Sequence, residues 1–200
     1  MKETKEKIIL KALQYFTEHD YEGASLDKIA RAIGITKGGI YHYFKSKDEL
    51  YHDCMIFLFS ALKEISSNMI SKDIKLKELL RGLFSFDELF NAIASMFQID
   101  LLNDYFNYAY LMFVGIKKFP DIKTMVGGIY DSMQNELTEI LEILQTNGEV
   151  DSSLDCNAMA FELAAMMEGA MLIAGFDSKM DMKDLGNRMA ENIEKRIAAK

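Results

Sequence analysis

The sequence predicts an all-α fold in which a three-helix domain is followed by a larger helical domain. Apolar residues recur at helical spacing along most of the 200 residues, and strand-like alternation persists nowhere. A single proline leaves long helices uninterrupted. Helix caps and a glycine stop cluster between residues 25 and 50. We therefore place the domain boundary at the end of this segment, which gives domains of residues 1–50 and 51–200.

Three helix-capping signals fall within this segment. Ser25 and Thr36 each precede a short helical pattern as N-caps, and Ser46 with Glu49 forms a capping box for a third helix. Gly34 ends the first pattern, because glycine adopts the left-handed conformation of a helix C′ position at little cost. The predicted buried positions are Leu26, Ile29, Ala30 and Ile33 in the first helix and Ile40 and Phe44 in the second. Two short helices around a tight turn form a helix-turn-helix.

Donor groups suited to phosphate oxygens lie on the outside of this motif, which spans about residues 25–44. They are the side chains of Lys37, Tyr41, His42, Tyr43, Lys45 and Lys47. Gly38 and Gly39 are poor helix formers, each less favourable than alanine by about 1 kcal/mol. Their placement makes sense if the backbone approaches DNA closely; alternatively, they only fray a short surface helix. The pattern favours a helix that reads DNA.

The segment closely resembles the N-terminal DNA-binding domain of the TetR family, the tetracycline-repressor-like bacterial regulators. The matching residues are Ser25-Leu26-x-x-Ile29-Ala30, Ala32-x-Gly34-Ile35-Thr36-Lys37-Gly38 and Ile40-Tyr41-x-Tyr43-Phe44-x-x-Lys47-x-x-Leu50. The preceding helix fits as well, with Ile9, Ala12, Leu13 and Phe16 on one face. By motif the resemblance covers roughly the first quarter of the chain, and beyond residue 55 it is one of architecture only.

The resemblance implies which residues contact DNA. Lys37, Gly38 and Gly39 stand where such proteins meet the bases, and the positions that hold the DNA backbone are Thr36, Tyr41, His42, Tyr43 and Lys47. Position 39 departs from the family, whose members often carry a threonine or serine there. With glycine at this position, sequence readout rests more on Lys37 and on DNA shape.

The distribution of charge agrees with a DNA-binding head on an acidic body. The net charge is −8, but residues 1–51 hold nine basic and eight acidic residues, net +1, and the remainder is net −9. Residues 25–47 contain five basic residues and a single acidic residue, Asp27. An acidic body discourages indiscriminate binding to nucleic acid, which favours a specific regulator over a protein that coats DNA.

The chain is expected to be a soluble cytoplasmic protein. Cys54 and Cys156 are its only cysteines, and we interpret them as buried thiols, with a redox switch as the alternative. The most apolar run, residues 156–176, contains Glu162 and Glu168, each unfavourable at the centre of a bilayer. The sequence therefore predicts no membrane span and no membrane partner.

Seven helices are predicted after the helix-turn-helix. They cover residues 47 to about 70, 75–84, 86–98, 100–117, 121–146, 155–175 and 181–198. The 155–175 helix is rich in alanine and glycine, which allow close helix packing. With the 121–146 helix it can form a four-helix bundle across a twofold axis, the arrangement that the resemblance also implies for a homodimer. The alternative is packing within one chain only.

Methionine and aromatic residues are abundant in the body, with fourteen methionines in all. They pack either as solid core or as the walls of an apolar cavity with a few polar contacts, the usual composition of a small-molecule site. The resemblance implies that an inducer binds in this region and alters the spacing of the two DNA-binding heads. The candidate ligand-binding residues are Phe97, Tyr105, Tyr108, Met112, Phe113, Met133, Met166 and Glu168.

An enzymatic function is not supported by the sequence. Glu49 and His52 form a Glu-x-x-His motif, but a carboxylate-bridged di-iron site needs two such motifs, and the other histidines are His19 and His42. We expect no catalytic residues, no cofactor and no metal. The predicted function is a dimeric DNA-binding transcriptional regulator, a repressor that a small, largely apolar ligand releases from its operator. An activator, or a regulator controlled by a protein partner, is the alternative within the same fold.

Overall fold

The computed structural model describes residues 2–68, 74–98, 105–176 and 179–199. Within these ranges the chain folds into ten helices, and the β-type pairing found there is a single bridge between Val150 and Ala198. In chain order the helices are α1 (Lys2–Gly23), α2 (Leu26–Ala32), α3 (Lys37–Tyr43), α4 (Lys47–Asn68), α5 (Leu76–Leu83), α6 (Phe86–Phe97), α7 (Tyr105–Lys118), α8 (Pro120–Thr146), α9 (Cys156–Ala174) and α10 (Met182–Ile197). The predicted all-α fold is confirmed.

The chain divides into two compact units. The first contains the residues up to Leu62 together with Ile93–Gly127, and the second contains Lys63–Ala92 together with the residues from Gly128 onward. The helix-turn-helix therefore lies in the first unit, with α1, α7 and the beginning of α4.

The core of the first unit is built around α1 and α4. Large apolar side chains from five helices are fully or almost fully buried there: Leu13, Phe16, Ile29, Ile40, Leu50, Tyr51, Met55 and Leu111. The stripe predicted on the first helix is confirmed, since all four of its residues are buried. The Tyr51 hydroxyl donates to the Leu111 carbonyl at 2.6 Å, which joins α4 to α7. Where α4 meets Gly115 of α7, a Cβ would lie 2.6 Å from the Met55 sulfur, so a side chain at this position would require the Met55 side chain to move.

The second unit is held together mainly by α5, α8, α9 and α10. Its buried apolar residues include Leu79, Leu80, Phe84, Leu137, Leu141, Leu163 and Ile193. At Gly186 of α10 a Cβ would overlap the Phe84 carbonyl oxygen, so the residue must be glycine for α10 to pack as it does. Glu149 accepts hydrogen bonds from the Lys75 ammonium at 2.8 Å and the Leu76 amide at 3.1 Å, which satisfies the start of α5.

Helix ends agree with the sequence signals wherever those signals are local. The predicted stop at Asn147-Gly148 follows the end of α8, and Gly148 has the left-handed φ of 75°. Helix α7 ends at Lys118 and α8 begins at Pro120, so that one residue lies between them. Residues 69–70 and 100–104 of the predicted helices lie outside the described part of the chain.

Helix α9 is, among the described residues, the one helix long and apolar enough to cross a membrane by length and composition. The core helix of a soluble protein passes the same test, so this observation carries little weight alone. The two glutamates noted in the sequence are both engaged: Glu162 pairs with Arg196 at 3.6 Å, and Glu168 accepts a hydrogen bond from the Tyr130 hydroxyl at 2.7 Å.

Candidate DNA-binding surface

Helix caps position the two short helices of the helix-turn-helix. The Ser25 hydroxyl accepts the Lys28 amide at 3.3 Å, and the Thr36 hydroxyl accepts the Gly39 amide at 3.0 Å. Gly34, between the helices, has a φ of 78°, the left-handed conformation predicted for it. These three local features set the direction in which α3 leaves the turn.

The cap of α4 differs in detail from the predicted capping box. Ser46 accepts the Glu49 amide at 3.1 Å as expected. The Glu49 carboxylate, however, accepts the amide of Lys45 at 2.6 Å, one residue before the Ser46 amide of a standard box. These two hydrogen bonds still join the turn between α3 and α4 to the first turn of α4.

Helix α3 buries one side and exposes the side predicted to face DNA. Ile40 is fully buried, and Phe44 directly after the helix is buried as well. The residues predicted to contact DNA are exposed at Thr36, Lys37, Gly38, Tyr41 and His42 and half-buried at Gly39, Tyr43 and Lys47. Among the described residues, a Cβ added at Gly38 would meet no atom within 4 Å, so no contact found there requires glycine.

Lys37, the predicted base reader, forms an ion pair inside the motif. Its ammonium lies 2.7 Å from a carboxylate oxygen of Asp27 on α2 and 5.7 Å from the centre of the Tyr41 ring. The hydrogen bond to Asp27 raises the pKa of Lys37 above its ordinary value, so the lysine is fully charged at neutral pH.

Lys47, the predicted phosphate ligand, is also positioned by the protein. Its ammonium donates to the Tyr21 carbonyl at 2.7 Å and lies 4.0 Å from the centre of the Tyr21 ring. An ammonium has three N–H donors, so two remain for a phosphate. The carbonyl and the aromatic ring that hold the ammonium carry no net charge, and the neighbouring Asp48 carboxylate also interacts with it electrostatically.

A polar cluster that sequence reasoning missed fastens the ends of three helices near Lys47. The Tyr21 hydroxyl of α1 donates to Asp48 of α4, and Lys118 of α7 lies 3.0 Å from the same carboxylate. The bond from Tyr21 and the Lys118 ammonium lower the pKa of Asp48, while burial and the Asp48 contact raise the pKa of Tyr21. The cluster combines residues far apart in sequence, and no local pattern indicates it.

Five of the candidate ligand-binding residues belong to the first unit. Phe97 is buried, with its ring edge-on to Phe57 at 5.9 Å between centroids, and Tyr108 is buried. Met112 is half-buried, and Phe113 is 68% exposed. The side chain of Tyr105 lies outside the described part of the chain.

The remaining three candidates belong to the second unit. Met133 of α8 and Met166 of α9 are half-buried, whereas Glu168 is exposed and bonded to Tyr130. A separate surface groove of about 590 Å³ lies between α1 and α4 of the first unit, with Ile9, Ile56 and Phe57 among its walls. None of the seven candidates whose side chains the structure describes lines this groove, and the role of all eight in ligand binding stays a prediction.

A capped and exposed recognition helix with positioned cations beside it defines a helix-turn-helix DNA-binding protein. The comparisons agree. A family model described as bacterial regulatory proteins, tetR family, matches residues 8–54, and one described as the tetracyclin repressor-like C-terminal domain matches residues 117–188. Together they cover more than half of the chain. The chain belongs to the TetR family, whose members are DNA-binding transcriptional regulators and not enzymes.

Curated relatives match the N-terminal part of the chain. The biofilm operon icaADBC HTH-type negative transcriptional regulator IcaR of Staphylococcus aureus (strain Newman) is 34% identical over 83 residues, 41% of this chain and 45% of that protein. IcaR of Staphylococcus epidermidis is 30% identical over 88 residues, which are 42% and 48% of the two chains. The alignments thus span a little under half the length of these relatives.

Solved structures match the whole chain. A TetR-family regulator from Cytophaga hutchinsonii aligns with a TM-score of 0.73 and 21% identity, covering 99% of this chain and 96% of that one. A TetR regulator from Chloroflexus aurantiacus aligns with a TM-score of 0.75 and 18% identity, covering 100% and 98%. These similarities show the shared fold.

Proposed function

We propose that this chain is a homodimeric transcriptional repressor that binds double-stranded operator DNA and is released by a small, largely apolar molecule. The observation that carries the proposal is the capped helix α3, which exposes hydroxyl, imidazole and ammonium groups on one side while its other side is buried. The IcaR proteins matched in this region are named negative regulators. Repression is the function that this similarity favours.

In the proposed complex each copy places α3 in a major groove of a short, roughly palindromic duplex. Lys37, Gly38 and Gly39 meet the base edges, because they form the first turn of α3. The DNA backbone is held by Thr36, Tyr41, His42, Tyr43 and Lys47. The hydrogen bond that Lys47 already donates to the Tyr21 carbonyl supports its role in holding the DNA backbone. A lysine already held in place loses less conformational freedom when it binds phosphate.

Selection of duplexes from a random pool, without added ligand, tests operator binding by the full-length protein. We expect one palindromic sequence class to be enriched. Lys47→Ala should then weaken binding to all sequences alike and reduce the salt slope by up to about one unit per head. Lys37→Ala should instead relax the preference at particular base pairs. If the purified protein enriches no sequence, the proposed repressor function is wrong.

The homodimer is proposed to form through the helices predicted at residues 121–146 and 155–175, which the structure contains as α8 and α9. An exposed apolar stripe on α9 and just after it supports this assignment. Its members recur at helical spacing: Phe161, Ala165, Leu172 and Phe176. Phe161 is 67% exposed and Phe176 is 74% exposed, unusual values for phenylalanine in a folded monomer. Light scattering at micromolar concentration tests the dimer, and a monomer there would contradict it.

Release by a small molecule is proposed through Phe97, Tyr105, Tyr108, Met112, Phe113, Met133, Met166 and Glu168. The support is the chemistry of these side chains, mostly adaptable and apolar, with few polar groups among them. A ligand changes DNA affinity only by its difference in affinity for the two head spacings, typically about 1–3 kcal/mol. A thermal-shift screen of lipophilic compounds, followed by operator release, tests it. Tyr108→Ala or Met112→Ala should weaken the release of operator DNA by a compound found in this screen, while leaving operator binding intact.

The proposed location of the protein is the cytoplasm, because an operator-binding protein must reach chromosomal DNA. The apolar helix α9 is assigned to the dimer, since a partner helix covers an apolar stripe as a bilayer would. Cell fractionation tests the location, and recovery in the membrane fraction after a high-salt wash would contradict it.

A further inference from the structure

Asp27 is the one acidic residue between positions 25 and 47, and it lies in the first turn of α2. Its Oδ2 accepts the Lys37 ammonium at 2.7 Å, across the turn that separates the two helices. The pair thus joins the helix that supports the motif to the first residue of the helix that reads DNA. Any movement of the Lys37 head group is limited by this contact.

The Asp27 carboxylate depends strongly on Lys37. Its other oxygen, Oδ1, is buried, and among the described residues it has no hydrogen-bond partner. If the ammonium moved away, the carboxylate would lose its cation and would face an approaching polyanion. Because the side chains of Lys37 and Asp27 are 68% and 38% exposed, the effect of losing the pair is expected to be that of an exposed ion pair.

We propose that Asp27 is a specificity-determining residue that acts through Lys37 by restraining its ammonium at the base-reading end of α3. The inference rests on the proposed function, operator binding through α3. Held by one N–H on Asp27, Lys37 keeps two donors, which suit the paired acceptors O6 and N7 of guanine. If the ammonium were drawn to a phosphate at the side of the groove, it would move away from Asp27 and lose the ion pair.

The restraint should act mostly on DNA that is not an operator. A free lysine has a flexible four-carbon stem and finds phosphates on any sequence, and each phosphate it neutralises releases counterions. With Asp27 in place this sequence-independent gain is suppressed, because the pair has little net charge. At an operator the ammonium reaches its base acceptors without leaving Asp27, so affinity there is largely kept.

Asp27→Asn tests the proposal, since asparagine has the same shape without the charge. Affinities of the full-length protein for its selected operator and for a scrambled duplex are measured over a range of salt. We expect scrambled-duplex affinity to rise by up to about fivefold, the size of an exposed ion pair, and its salt slope to steepen by up to about 0.9 per head. Operator affinity should change less, so that the ratio of the two affinities falls.

A matched control and a double variant distinguish an effect of Asp27 through Lys37 from simple charge repulsion between Asp27 and DNA. Glu22→Gln removes an exposed carboxylate from α1 and should leave the affinity ratio unchanged. In a Lys37→Met background, Asp27→Asn should no longer lower the ratio of operator affinity to scrambled-duplex affinity, because the lysine through which Asp27 acts is absent. An equal fall in both backgrounds would overturn the inference, as would an unchanged ratio in Asp27→Asn alone.

Failure of the inference can be distinguished from failure of the proposed function. A wild-type protein that selects an operator but responds to Asp27→Asn as it does to Glu22→Gln refutes the role of Asp27 alone. A wild-type protein that selects no operator overturns the proposed function and this inference together. Thermal unfolding of each variant identifies any loss of affinity that comes from misfolding.

Discussion

Gly38→Ala should make the protein more stable and make it a weaker operator binder. Gly38 is the second residue of α3, it is exposed, and its φ lies outside the left-handed region. A Cβ there would meet nothing within 4 Å, so alanine fits without strain. Alanine is favoured over glycine in a helix by about 0.5–1 kcal/mol. We expect unfolding stability to rise by up to that amount, which corresponds to about 2–4 °C in Tm.

Operator binding should change in the opposite direction if the α3 backbone lies against the DNA at this residue. The added methyl group would hold the first turn of α3 away from the base edges. Losing one good base contact costs about 1–3 kcal/mol per head, at least fivefold in affinity. Denaturant unfolding measures the first effect, and fluorescence anisotropy on the selected operator measures the second.

Gly127→Ala is the matched control for Gly38→Ala. Gly127 is also exposed within a helix, α8, and a Cβ there would also meet nothing within 4 Å. It should give a similar gain in stability, and its operator affinity should equal that of the wild type once light scattering has shown that the variant forms the same dimer. If Gly38→Ala is stabilised and binds the operator as tightly as the wild type, the glycine merely loosens a short helix and the backbone-approach reasoning is refuted.

Three further predictions concern the second unit. Ala165→Arg, at an exposed position of α9, should separate the protomers while each chain stays folded, whereas Ala170→Arg, at a position only 7% exposed, should prevent folding because it buries an unpaired charge. Light scattering and circular dichroism distinguish the two results. Gly186→Ala should destabilise the fold by about 1–3 kcal/mol in denaturant unfolding, since its Cβ would overlap a backbone carbonyl oxygen, that of Phe84. Glu149→Gln should lower stability at neutral pH, and the difference from wild type should shrink as pH falls below the ordinary glutamate pKa of 4.5. The reason is that the lysine partner lowers the pKa of Glu149, so the stabilisation is complete above that value and is lost on protonation in the fold.

Each of these predictions has a result that would contradict it. A dimeric Ala165→Arg variant would remove α9 from the interface. A Gly186→Ala variant of wild-type stability would mean that α5 and α10 separate easily. If the difference in unfolding stability between wild type and Glu149→Gln stays constant from pH 7 to pH 3, the carboxylate contributes no charge-dependent stability.

The sequence was most informative where structure depends on neighbouring residues. Ser25, Gly34 and Thr36 carry out the predicted roles, because an N-cap or a left-handed stop acts within three or four residues of its own position. Helix order and most helix ends followed from the same signals. The exposed side of α3 was predictable as well, since Ile40 and Phe44 mark the buried side by their spacing.

Contacts between distant residues could not be predicted in this way. Tyr21, Asp48 and Lys118 meet across separations of 27 to 97 residues, and each alone looks like an ordinary surface residue of an amphipathic helix. The same holds for Gln14, whose side-chain amide donates to the carbonyl of Phe97 at 3.1 Å, at the end of α6. Periodicity states which side of a helix is buried, but it does not name the partner that covers it.

The two lysines expected to meet DNA show how one motif can separate strength of binding from choice of sequence. Lys47 is held by groups without net charge, the Tyr21 carbonyl and ring, and we expect its ammonium to contact the DNA backbone. Lys37 is held by a carboxylate, which offsets its charge. Had Lys37 also been held by neutral groups, both lysines would strengthen binding to every sequence alike, with the corresponding rise in salt dependence. In the arrangement we propose, the backbone-facing cation supplies affinity and the base-facing cation is restrained, the division that a regulator of few sites on a long chromosome requires.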